Sequence, residues 1–161
     1  MSSTLRNVSH AHMRYLLGTR CMANPGLSID ANTNDVETDN AIIYSISGLI
    51  YALAAQAAID ISTLTGTGVG KSVANLYTQL FVFEVNAAGT ITVNAGDAVL
   101  TADITAGTKI RHVPDPSSAN VCPIGAVLIV NTSGAAFVFG TTTGMGTYAT
   151  FYQFAVTPAS L

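Results

Sequence analysis

Ala41-Ile42-Ile43-Tyr44-Ser45-Ile46-Ser47-Gly48-Leu49-Ile50-Tyr51-Ala52-Leu53 is the stretch that decides the fold. Two runs rich in β-branched and aromatic residues flank Ser47-Gly48, the two-residue spacing of a tight hairpin, and glycine supplies the positive φ such a turn demands. The same logic recurs downstream. Leu76–Val85, a turn at Asn86-Ala87-Ala88-Gly89 and Thr90–Val93 read as a second hairpin. In it Phe81, Phe83 and Val85 share one face and Glu84 takes the other, the alternation of a half-buried strand. Ile91 and Val93 repeat the pattern across the turn.

The last third adds Ile124–Val130, a turn at Asn131–Gly134, Ala136–Phe139 and Tyr148–Val156. Strands parted this often by turn signals predict an all-β fold, a single antiparallel β-sandwich or small barrel of jelly-roll type, over residues 38–161. Leu53–Ala58 and Lys71–Leu76 are the two places in this region where a helix would fit.

Residues 1–37 read differently, as an N-terminal arm and acidic linker. Val8, His12, Tyr15 and Leu16 fall at helical spacing before Asn24-Pro25-Gly26, which predicts one short amphipathic helix. A helix that short is marginal in water and needs a partner surface. Arg6, Arg14 and Arg20 are half of the six Lys and Arg, and the first acid is Asp30. From Leu27 to Asn40 the chain reads as an irregular connector carrying Asp30, Asp35, Glu37 and Asp39. A calcium loop of the EF-hand kind needs Gly at its sixth position, and no Gly follows here, so a solvated linker is expected.

Composition limits the function. Only 9% of the 161 residues are charged while 49% are hydrophobic, against a charged share of about 25% in ordinary soluble proteins. A neutral surface of Thr, Ser, Asn, Ala and Gly is suited to being covered by copies of itself. The net charge of −3 and the lack of a long basic cluster argue against nucleic acid or an anionic membrane as partner. The longest apolar stretch, Leu49 to Ile59, is interrupted by Gln56 and falls short of the roughly 20 residues of a membrane helix. The opening segment has no apolar core of leader type, so a soluble protein is expected.

Motifs with chemical meaning are few. Cys21 and Cys122 are far apart and outside any C-x-x-C pair, so they read as two free thiols and no metal is expected. Asn7-Val8-Ser9 and Asn131-Thr132-Ser133 match the glycosylation sequon and, without a secretion signal, read as chance matches. Gly66-Thr67-Gly68-Val69-Gly70-Lys71-Ser72 looks like a phosphate loop, but the position that must hold the first glycine is Thr65. His10 and His12 fall on different sides of a helix, and His112 lies beside Arg111 in a loop near Asp115. G-x-S-x-G is absent and the acids sit mostly in the linker or in turns, so neither a hydrolase nor a glycosidase is expected, and no cofactor is implied.

Three stretches together carry a family likeness: Thr38 to Ala55 (TDNAIIYSISGLIYALAA), Gln79 to Gly96 (QLFVFEVNAAGTITVNAG) and Asn120 to Thr143 (NVCPIGAVLIVNTSGAAFVFGTTT). Their ordered series resembles small β-rich virion proteins of tailed phages, the capsid decoration, cement and head-fibre type, over residues 38–157. The resemblance implies a non-enzymatic subunit, made in the host cytoplasm and carried on the capsid surface of the virion. Its partners would be the major capsid protein and itself, as a homotrimer. The arm lies outside the likeness, and Arg6, Arg14, Tyr15, Leu16 and Arg20 are the residues expected to dock on the shell. The alternative is a head or tail fibre or receptor-binding module, with Tyr148, Phe151 and Tyr152 as candidate contact aromatics. Their alternation equally fits core-facing strand residues.

Overall fold

The structure is a computed structural model and describes residues 18–30, 34–142 and 144–154. In chain order its strands are β1 (Arg20–Cys21), β2 (Leu27–Ile29), β3 (Val36–Thr38), β4 (Ile42–Ile46), β5 (Leu49–Leu53), β6 (Ser72–Val73), β7 (Tyr77–Asn86), β8 (Ile91–Ala95), β9 (Val99–Leu100), β10 (Val121–Val130), β11 (Phe137–Val138) and β12 (Ala149–Gln153). Among the described residues one short α-helix, α1 (Thr101–Thr105), follows β9.

The quoted hairpin forms as read, with β4 and β5 in unbroken antiparallel register from Ile42↔Leu53 to Ile46↔Leu49. Ser47 (φ 50) and Gly48 (φ 79) both adopt left-handed backbone, which matches the twist of the flanking strands. The second hairpin, β7–β8, also forms. Its turn is held by Asn86, whose Oδ1 accepts from the N–H groups of Ala88 (2.9 Å) and Thr90 (3.0 Å).

The main sheet runs β12-β10-β7-β8, with β9 beside the start of β7. A second sheet, β1-β4-β5, and the β2–β3 pair cover one of its faces. Phe81, Phe83 and Val85 of β7 and Val127 and Ile129 of β10 there meet Ile42, Tyr44 and Ile46 of β4 with Leu27 and Val36. Phe139 stacks on Phe81 at 3.9 Å between ring centroids. The fold is thus an all-β antiparallel sandwich of open sheets, closed by sequestering the apolar side of each.

Three local readings change. Leu27–Asn40 is not an irregular connector: β2 and β3 pair from Leu27↔Thr38 to Ile29↔Val36, because Leu27 and Val36 alternate into the core while Glu37 does not. The side-chain amide of Gln153 completes the tie, accepting from Leu27 N–H (2.9 Å) and donating to Leu27 C=O (2.7 Å) as a strand would.

The two candidate helical stretches are not helical. Lys71–Leu76 holds β6, and the chain after Leu53 stays extended, with Gln56 N–H donating to Thr38 Oγ1 (2.9 Å). A helix lies instead at Thr101–Thr105, where no residue is buried and no hydrophobic period marks it.

The third change concerns β7, which is buried on both faces and not half-buried. Leu80, Val82, Ala126 and Leu128 form a smaller apolar cluster behind the main sheet, where Glu84 is only 1% exposed. Pro123 sits in β10 at a bulge between Pro123 and Gly125, where a missing N–H breaks no regular ladder. Beyond it Gly125 lets β12 approach, since a Cβ there would lie 2.9 Å from Tyr152 C=O.

Candidate functional site

Of the residues expected to dock, Arg6, Arg14, Tyr15 and Leu16 lie outside the described residues. Arg20 is half-buried in β1, opposite Ser45 of β4. The chain is already part of the domain there: Gly18 C=O accepts from Gly48 N–H (3.0 Å) and Ser45 Oγ (3.0 Å), and Cys21 and Leu27 are core residues. An arm outside the sandwich is therefore at most residues 1–17.

The glycine-rich loop is built into the sandwich. Gly68 N–H donates to Val93 C=O (3.0 Å) and Gly70 N–H to Phe139 C=O (3.2 Å), so two donors that a phosphate would need are spent on the protein. Gly66 (φ +116) is required by close approach, since a Cβ there would sit 2.1 Å from Val93 C=O. Strand β6 follows the loop, not a helix whose N-terminus could face an anion.

A buried polar network links this loop to the second face of the main sheet. Asn94 Oδ1 accepts from Thr67 N–H (3.2 Å) while its Nδ2 donates to Glu84 Oε2 (2.8 Å). The Glu84 carboxylate also accepts from Ser117 Oγ (2.6 Å) and Ser117 N–H (3.2 Å to Oε1). The acid near the end of β7 thus pins the exposed strap of residues 106–120 across the sheet. Sequence reasoning placed Glu84 facing solvent, and nothing in the local pattern marks Ser117 as its partner.

The other reactive groups are individually accounted for. Burial, then Cys21 and Glu84, push the Cys122 thiol up to about 12, and burial likewise raises Cys21. Both thiols are free and buried, so neither is a ready nucleophile. His112 Nδ1 accepts from Asp97 N–H (3.1 Å) on the surface; His10 and His12 lie outside the described residues. Among the described residues no group of three His, Cys, Asp or Glu is placed to hold a metal. Burial, with Asp60 and Asp30 nearby, raises the Asp35 carboxyl.

Asn131 is fully buried. Its Nδ2 donates to Val73 C=O (2.8 Å) and Ala135 C=O (2.7 Å) and its Oδ1 accepts from Ser133 N–H (3.0 Å), so a glycan there would dismantle the turn. Asn7 of the other sequon lies outside the described residues.

Two of the three candidate contact aromatics serve the fold. Tyr148 and Phe151 pack against the main core. Tyr152 points to the other face, 41% exposed, where with Phe154, Leu80, Ala126, Val113 and Arg111 it lines an open cleft of about 240 Å³. Apart from this cleft, the exposed large apolar residues among those described are Ile43 and Ile50 on the outer face of β4–β5, Leu49 opposite Ile46 at the hairpin end, Ile110 of the strap, and Leu76. Compared with protein-family models, with curated proteins and with solved structures, the chain matches none.

Proposed function

We propose that the chain is a non-catalytic structural subunit of a phage particle, a capsid decoration protein that binds the major capsid protein on the outer surface of the head and acts as an oligomer, a homotrimer in the simplest arrangement. The observation that carries it is the surface, which combines few charges with large apolar side chains exposed on sheet edges and on the strap. Such a surface favours repeated association over capture of a small ligand. The setting on a phage head rests on the sequence resemblance. Modest contacts repeated over a shell hold by avidity, so no single strong contact is needed.

The test is cosedimentation with capsids that lack the protein. Saturation at a fixed ratio per capsomer supports the reading, and loss of binding on deleting residues 1–17 assigns the docking to the arm. Failure to sediment with the shell overturns it.

A fibre or receptor-binding module is the second reading, and the cleft beside Tyr152 and Arg111 favours it, because an exposed aromatic next to a guanidinium is a common way to hold a polar ligand. Under that reading Tyr152→Ala abolishes attachment to host cells and leaves capsid binding intact.

A further inference from the structure

The strap is exposed along almost its whole length and sparsely tied. Its near end is fixed, since the backbone N–H groups of Thr108 (3.0 Å) and Lys109 (3.3 Å) donate to Asp103 C=O and Lys109 Nζ pairs with the Asp103 carboxylate at 2.9 Å. Its far end enters β10 at Val121, opposite Asn86 of β7. Between these ends, among the described residues, no backbone group of residues 110–117 bonds to another backbone group. A segment ordered by so few bonds opens at a lower free energy than the sheets beneath it.

Two anchors hold it down. The first is a seat on Gly96. His112 Nδ1 accepts from Asp97 N–H (3.1 Å), and the strap backbone comes so close that a Cβ on Gly96 would stand 2.1 Å from His112 C=O. Gly96 lies outside the left-handed region, so space and not backbone angle demands glycine there. The second anchor is the Glu84 carboxylate, which accepts from Ser117 Oγ (2.6 Å) while Asn94 Nδ2 holds it from the sheet (2.8 Å). Gly96 N–H donates to Leu80 C=O (2.9 Å), so the anchors stand at the Leu80 and Glu84 levels of β7. Between them Arg111 and Val113 of the strap form one wall of the cleft that Leu80, Ala126, Tyr152 and Phe154 complete.

We propose that residues 110–117 are a clasp that opens as a unit while the sandwich stays folded, and that its opening removes one wall of the cleft and widens access to Leu80 and Ala126. The cleft then belongs to the closed state. A ligand that touches Arg111 or Val113 together with Tyr152 binds that state in preference and so draws the clasp shut.

Limited proteolysis of the full chain with trypsin reads the opening, because Lys109 and Arg111 lie in the strap and cleavage tracks the population of the open form when opening is fast. The rate is followed in rising, sub-denaturing urea and compared with global unfolding followed by circular dichroism. Gly96→Ala puts a methyl in the seat, and Ser117→Ala removes the hydroxyl donor. The expected result in the unchanged chain is cleavage at Lys109 and Arg111 with a urea dependence well below that of global unfolding, since local opening exposes little surface. Ser117→Ala should raise the rate roughly 10- to 100-fold, the effect of losing one hydrogen bond to a carboxylate, and Gly96→Ala should raise it too. Melting curves check that each variant folds, and Glu84→Gln takes the place of one that does not. Strap cleavage with the full urea dependence of global unfolding overturns the proposal, because the strap then opens only with the whole domain. Unchanged cleavage in both variants overturns it as well, because the two anchors then do not hold the strap.

Discussion

Glu84 and Ser117 should behave as one energetic unit. The Ser117 hydroxyl, on the exposed strap, donates to Glu84 Oε2 at 2.6 Å, a short bond to a carboxylate that is itself only 1% exposed. Such bonds contribute about 1.5–3 kcal/mol, so Ser117→Ala should lower stability by that amount. For a domain of this size each kcal/mol moves Tm by about 2–4 °C, which gives a fall of roughly 3–12 °C. Glu84→Gln retains one carbonyl oxygen for Asn94 and the hydroxyl but turns an amide donor toward Ser117 N–H, and should cost about 1–3 kcal/mol. The double variant should cost clearly less than the sum, with a coupling of at least about 1 kcal/mol. Urea denaturation of the four proteins measures the cycle, and hydrogen exchange at Ser117 should accelerate in either single variant. Strict additivity with unchanged exchange across residues 106–120 would refute the claim that the buried acid holds the strap.

Two further outcomes follow from buried groups. The Cys122 thiol rises from 9.0 to about 12 on folding, so both states are neutral below pH 9 and the group adds no pH dependence there. Between pH 9 and 12 only the unfolded chain ionises, and stability should fall by about 1.4 kcal/mol per pH unit. Stability from urea denaturation should drop by about 1.4 kcal/mol between pH 8 and 10 through this group, Cys122→Ala should reduce the drop, and an identical drop in the variant would contradict the assignment. Gly66→Ala places a Cβ 2.1 Å from Val93 C=O and should destabilise by at least about 2 kcal/mol. Lys71→Ala, at an exposed side chain, should stay within about 0.5 kcal/mol, and the reverse order in a denaturation series would mean the loop is built around Lys71.

The fold was legible wherever local pattern and burial agree. Ser47-Gly48 and Asn86–Gly89 announce their hairpins because turn chemistry is local, and the odd-numbered run Phe81-Phe83-Val85 does face the main core. The reading lost what depends on distant parts of the chain. Glu84 looks solvated until Ser117, far along the sequence, is folded over it. Leu27 and Val36 sit among Asp30, Asp35, Glu37 and Asp39, whose charge hides two short strands completed by the Gln153 amide. Helix α1 has no buried face and so no period to detect. The exposure of β5 was equally hidden, since LIYAL is apolar throughout and only the sheet order shows that, among the described residues, its far edge has no neighbour.

Electron cryomicroscopy of capsids saturated with the chain tests the central claim most directly. The account predicts β-sandwich density on the outer face of the head, repeated at every equivalent capsomer. Bare capsids beside free protein, or density confined to a tail or fibre, would contradict it.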